Sequence, residues 1–228
     1  MQTLTTQNLN ITQIQFPEIE LKTRDAHKLR GYFGELFKEH SPLLHNHYQD
    51  GSLRYRYPQI QYKVINKTPH LIGIDEGADL LTQLFLKIKE VNIDGKSYPI
   101  QSKNISQQQK EIGFSNVLHQ YRFKTLWMGL NQQNYTKFQK FETDKERDAM
   151  LNSILTGHIL GFFKSFGVVL MPEERIMVKH QLEQKSTNFK GQKMLAFTGC
   201  FICNARLPDF IGLGKSTSRG FGTLVEVS

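Results

Sequence analysis

The sequence predicts an α+β protein made of two tandem ferredoxin-like domains, each a split βαβ unit. Three observations predict it. The first half reads β-α-β-β-α-β from its apolar periodicities, the second half repeats that order approximately, and 228 residues with 39% apolar side chains can build one large core or two small ones. The boundary falls near Glu111, giving 1–111, which holds a cluster of histidines, and 112–228, which holds a glycine-rich loop.

Each element has its own signal. A first strand fits Ile11 to Leu21, where Ile11, Ile14, Phe16, Ile19 and Leu21 are apolar and Pro17 marks an edge or bulge. A helix comes next: Thr23 caps it, Asp25 sits in its first turn, and Ala26, Leu29, Phe33, Leu36 and Phe37 keep helical spacing until Ser41-Pro42 stops it. In LRYRYPQIQYKVI, Leu53, Tyr55 and Tyr57 share one face. After the shift at Pro58, Ile60, Tyr62 and Val64 share one, with Arg54, Arg56 and Lys63 opposite. HLIGI is a further strand, DEGADLLTQLFLKIKEV an amphipathic helix and KSYPIQSKNISQ the closing strand. The second half opens with the strand VLHQYRFKTLWMGL. A polar stretch then leads into a long helix over Asp144 to Ser165, whose apolar face includes Ile154, Leu155, His158, Ile159, Phe162 and Phe163, continuing to Phe166. Strands come after it in RIMVKHQLEQKS, QKMLAFTGCFICNARL and Thr223 to Val227, and the second helix of this repeat is short or lost, around LPDFIGL.

The formal charge is +8, and Arg175 to Val225 holds eight Lys/Arg against only Glu183 and Asp209. Nucleic acid is the leading partner for such a chain. Cys200 and Cys203 lie three apart in a strand and so face opposite sides, and no second pair exists to complete a zinc site. No apolar run reaches membrane-spanning length and the N-terminus lacks a basic start with an apolar core, so a cytoplasmic location without membrane partners is expected.

Two stretches carry chemistry. IGLGKSTSRGFG contains Gly-Lys-Ser but is not a phosphate-binding P-loop: the position five before Gly214 is Asp209, and the segment after Ser216 is too short for a helix and its strands. It reads instead as a loop in which Gly212, Gly214, Gly220 and Gly222 let the backbone approach an extended polyanion, beside Lys215, Ser216, Thr217, Ser218 and Arg219. SPLLHNHYQDGSLRYRY puts His45 and His47 at i, i+2, so in extended backbone both imidazoles point the same way. Imidazole titrates near neutrality, with an ordinary pKa of about 6.5, so it can carry a proton in either direction. RNA supplies its own nucleophile in the 2′-hydroxyl. One base and one acid would then suffice without a metal, with Lys28, Arg30, Arg54 or Arg56 stabilising the charged transition state. Other readings stay open for these residues: solvent-facing loop histidines, a metal site with Asp50, and an amphipathic edge strand over the aromatic-basic segment. His158 reads as a core or interface residue, His27 as a weaker catalytic candidate, and His40, His70, His119 and His180 lack supporting neighbours.

These residues resemble a known family. GLGKSTSRGFG is similar to the C-terminal glycine-rich loop of the RAMP superfamily of CRISPR-associated proteins. Over essentially its full length, with KLRGYFGELF, LLHNH, YRYPQIQYKV and GFG, the chain resembles that superfamily's repeat-specific, crRNA-maturing endoribonuclease. The resemblance implies two ferredoxin-like domains and metal-independent, cofactor-free cleavage of CRISPR repeat RNA, leaving a 2′,3′-cyclic phosphate or a 3′-phosphate. It also implies a catalytic histidine in or just after the first helix. His47 is the first choice and His45 the second, with Tyr55 as a third participant. RNA binding is expected from Lys28, Arg30, Arg54, Arg56 and the loop residues Gly212, Gly214, Lys215, Ser216, Ser218, Arg219, Gly220 and Gly222. Other CRISPR-associated proteins and a second copy of the chain are further expected partners. Two other functions fit parts of the pattern: a non-catalytic RAMP subunit holding guide RNA, and a general single-strand RNA-binding module stacking bases on Tyr55 and Tyr62.

Overall fold

The computed structural model describes residues 4–38, 57–189 and 191–227, which divide into two compact units. One comprises Asn8–Lys110 together with Thr217–Gly220; the other comprises the residues up to Gln7, Glu111–Ser216 and the chain from Phe221 onward. Both are ferredoxin-like.

In the first unit the elements are β1 (Thr6–Gln15), α1 (Ala26–Leu36), β2 (Ile60–Ile65), β3 (Thr68–Ile74), α2 (Glu76–Leu84), β4 (Glu90–Ile93), β5 (Lys96–Pro99) and the start of β6 (Asn104–Trp127). Their sheet runs β2-β3-β1-β6, while β4 and β5 form a separate hairpin. The closing strand of the split βαβ pattern is therefore the polar run from Asn104, and Lys96–Pro99, the start of the expected strand, turns back on Glu90–Ile93 instead. Thr23 belongs to a short 3-10 turn, and the N-cap of α1 is Asp25. β1 starts before Ile11 and ends before Phe16, because the chain turns at Phe16-Pro17.

The apolar faces of α1 and α2 close over one side of this sheet. Phe33 of α1 stacks on Phe16 and on Tyr62, each at 6.1 Å between ring centroids, and Leu29, Leu71, Leu81 and Leu84 fill in around them. The other side mixes buried isoleucines, Ile65, Ile72 and Ile74, with buried polar side chains, Gln61, Lys63 and His70. Every residue of β2 is buried; Lys63 pairs across the strands with His70, and Gln13 Nε2 lies 2.8 Å from His70 Nδ1. Burial pushes the Lys63 ammonium down to about 7, and burial together with the Lys63 charge pushes His70 down to about 4.

The second unit is β6 from Glu111 onward, α3 (Gln132–Lys140), α4 (Asp144–Ser165), β7 (Val178–Phe189), β8 (Gln192–Arg206) and β9 (Leu224–Glu226). Its sheet is β7-β8-β6-β9, all antiparallel. α4 has the bounds its sequence signals: Thr143 Oγ1 accepts from the Glu146 N–H while the Glu146 side chain accepts from the Thr143 N–H, and Leu151, Leu155, Ile159, Phe162 and Phe163 are buried. Where the second helix of the repeat would stand, Leu207 to Lys215 holds turns and a single bridge from Gly212 to Thr223. Cys203 is buried, with its thiol pushed up to about 12, and Cys200 is half-exposed.

Lys63 sets a testable pH dependence. Its pKa falls from an ordinary 10.5 to about 7 on folding, so between those values the unfolded chain binds more protons and stability rises with pH. The unfolding midpoint in urea is expected to rise from about pH 7 to about pH 9.5 more in the wild type than in Lys63→Met. Parallel curves for the two proteins would contradict this account of Lys63.

Candidate nucleic-acid interface

The glycine-rich loop divides between the units residue by residue. Up to Ser216 and from Phe221 it belongs to the second: Leu213 N–H donates to Gly222 O at 2.9 Å, Gly222 N–H to Leu126 O at 2.8 Å and Lys215 N–H to Met128 O at 3.0 Å. Between these anchors the chain makes a 3-10 turn, Thr217–Arg219, which packs on α1 and β2 of the first unit.

Gly220 makes that packing possible. Its φ is +88°, in the region glycine adopts most readily, and a Cβ there would lie 2.7 Å from the Ala26 Cβ and 3.2 Å from the Tyr62 carbonyl oxygen. The consequence is electrostatic. Arg219 at the end of the turn acts on Arg30 of α1: burial first, then the Arg219 charge, hold the Arg30 guanidinium below its usual pKa. Arg30 and Arg219, read from distant stretches of sequence as RNA contacts, thus share one neighbourhood of the first unit, next to the buried hydroxyl of Tyr62. Two half-buried guanidiniums of like charge act on each other on this part of the first unit.

The other predicted residues fare differently. Lys28 is held 2.8 Å from Asp25 and is also ion-paired with Asp94, so its charge is neutralised by carboxylates. Gly212 lies in the bridge to Thr223, Gly214 and Gly222 take positive φ as Gly220 does, and Ser216, the only non-glycine of the loop that does so, has φ +57°. Lys215 is exposed, and Ser218 is half-buried. His45, His47, Asp50, Arg54, Tyr55 and Arg56 lie outside the described residues, as does His40. By connectivity they join α1 to β2, the two elements on which the Thr217–Arg219 turn rests.

Among the described histidines, His27 Nδ1 lies 2.6 Å from the Arg24 carbonyl oxygen on an exposed face of α1. His119 has neighbours that the sequence hid. Its Nε2 is 2.9 Å from Ser115 Oγ and its Nδ1 is 2.7 Å from Glu226 Oε1. Ser115 is only 1% exposed and its Oγ already accepts from the Val117 N–H, so the chain of hydrogen bonds fastens the bulge between Phe114 and His119 to β9. Glu226 lies 107 residues from His119, beyond any spacing rule. Among the described residues no cluster of three or more His, Cys, Asp or Glu could hold a metal, and no helix is long and apolar enough to cross a membrane.

Comparisons with known proteins agree over the whole chain. The profile of the Cas6b N-terminal domain matches residues 7–111 and that of the Cas6b C-terminal domain residues 113–227. A crystal structure of Cas6b is 34% identical, covering 97% of this chain and 100% of that one, with a TM-score of 0.91. A second, described as the CRISPR RNA processing endoribonuclease Cas6b, is 32% identical with the same coverage and a TM-score of 0.79. An uncharacterized protein of Methanocaldococcus jannaschii is 28% identical over 146 residues, 64% of this chain and 97% of its own length.

The loop's two contributions, charge and close approach, separate by mutation. Gly220→Val forces a side chain against Ala26 and Tyr62 and should lower stability by about 1–3 kcal/mol in thermal or urea unfolding. Lys215→Ala with Arg219→Ala removes two cations and should weaken binding to a single-stranded polynucleotide, flattening the log–log salt dependence by about one to two units. An unchanged salt slope would remove both residues from the interface.

Proposed function

Since the chain belongs to the Cas6b family of CRISPR RNA processing endoribonucleases, we propose that it cleaves CRISPR precursor RNA within the repeat by attack of the RNA's own 2′-hydroxyl, without a metal. The observation that carries this reading within the molecule is the neighbourhood of Arg30 and Arg219 on α1 and β2, the two elements joined by the segment with His45, His47 and Tyr55.

His47 takes the proton from the 2′-hydroxyl, whose oxygen attacks the adjacent phosphorus. The new 2′-O–P bond forms as the P–O5′ bond breaks, and His45 or Tyr55 protonates the departing 5′-oxygen. The products are a 2′,3′-cyclic phosphate, which can open to a 3′-phosphate, and a 5′-hydroxyl. Negative charge rises on the phosphoryl oxygens in the transition state. Arg30 and Arg219 supply fixed guanidiniums for it, in surroundings drier than bulk water where each charge counts for more. The exposed Lys215 tracks the phosphates of the bound strand.

Incubation of the purified protein with its own repeat RNA in EDTA should give one discrete cut. His47→Ala should slow single-turnover cleavage by about 10²–10⁴ while changing RNA affinity less than about tenfold, and His45→Ala should slow it less. A 2′-deoxy nucleotide at the cut site should bind and remain intact. Activity that needs added Mn²⁺ or Zn²⁺ would turn His45, His47 and Asp50 into a metal site, and binding without any cut would make the protein a guide-RNA carrier.

A further inference from the structure

The sheet of the second unit has two unlike faces. On one, Phe197 meets Phe138 of α3 and Trp127 meets His158 of α4, and Tyr121, Phe123, Phe201 and Cys203 are buried beside them. Side chains alternate along a strand, so the residues between these point the other way. The register lines them up: Gln120 of β6 stands opposite Ile202 of β8, which stands opposite Lys179 of β7, and in the next row Arg122, Cys200 and Gln181 follow. Apart from the half-exposed Cys200, all six are exposed.

At the bulge end this open face turns aliphatic. His119, Cys203 and Val178 share a row that points toward the helices, and Leu118 and Met177 each come one residue before it, on the side of Ile202. Leu118 is 65% exposed, Met177 62%, the adjacent Val117 60% and Ile202 38%. Single exposed apolar residues need no explanation, but four gathered on neighbouring strands mark an interaction surface. The backbone beneath them is pinned from inside. Buried Ser115 accepts from the Val117 N–H, and its partner His119 is tied to Glu226. Asn204, 4% exposed, accepts from the Met177 N–H at 2.7 Å and donates to the Arg175 carbonyl at 3.0 Å. Buried polar side chains on two strands thus hold the aliphatic residues out in water.

Cations lie beside the patch on the same face. At about 3.4 Å per residue, Lys179 is about 7 Å along the sheet from Met177 and Arg122 about 14 Å from Leu118. Neither is ion-paired among the described residues, whereas Glu183, further along β7, is taken by Lys185 at 3.0 Å. These charges select the occupant. A second copy of the chain brings the same cations and no free acid on this face to meet them. RNA brings the negative charge, but Leu118, Met177, Val117 and Ile202 offer no ring on which a base could stack. We propose that this face docks another protein through an amphipathic helix, whose apolar side chains cover Leu118, Met177 and Ile202 and whose Asp or Glu residues, one to three turns of about 5.4 Å further on, meet Lys179 and Arg122. The surface is independent of the cleavage chemistry above.

A displayed library of random 16-residue peptides, selected on the immobilised full chain, is the probe. Selected peptides are expected to share apolar residues at helical spacing followed by acids, and the synthesised consensus peptide should bind Leu118→Ser/Met177→Ser at least about tenfold more weakly than wild type. Arg122→Gln/Lys179→Gln should weaken the same peptide and flatten the salt dependence of its binding, while the salt slope for repeat RNA stays that of the wild type. Both variants change exposed side chains and should melt as the wild type does. Peptides without acids, or bound equally by the serine variant, would overturn the proposal. A lowered RNA salt slope in the glutamine variant would overturn it by making the face part of the RNA track. So would a dimer in sedimentation that Leu118→Ser/Met177→Ser dissociates, which would give the patch to a second copy.

Discussion

The candidate interface depends on an atom that residue 220 lacks. With hydrogen in place of a Cβ, the backbone at Gly220 closes on Ala26 of α1 and on the carbonyl of Tyr62 in β2, and the preceding turn settles on both elements. Arg219 is thereby fixed where its charge acts on Arg30. Holding two like charges in a partly desolvated place opposes folding. Lys28 shows the contrast within the same helix. Two carboxylates neutralise it, so it contributes to the join between α1 and the β4–β5 turn.

Legibility in the sequence depended on which signals were local. The bounds of α4 could be read because a capping box and a helical apolar face coincide at Thr143 and beyond. The true closing strand of the first unit escaped because Asn104 to Glu111 is exposed residue after residue and offers no alternation of apolar and polar side chains. α3 escaped for a related reason. Its only buried side chain is Phe138, and its start is marked only by the Asn131 side chain accepting from the Asn134 N–H. The two-domain class, the loop and its basic residues were visible as composition and motif. That Arg219 meets Arg30 was not, since the two stand far apart in sequence and only the fold of the loop joins them.

Affinity and identity come from different parts of such a surface. Contacts between cations and phosphates are nearly the same for RNA and DNA, and they weaken together as salt rises. A nuclease whose nucleophile is the 2′-hydroxyl is therefore blind to DNA at the chemical step but not at the binding step. Discrimination in binding needs a group that RNA has and DNA lacks, met where water is excluded, because a hydroxyl in open solvent exchanges one hydrogen bond for another at little net gain.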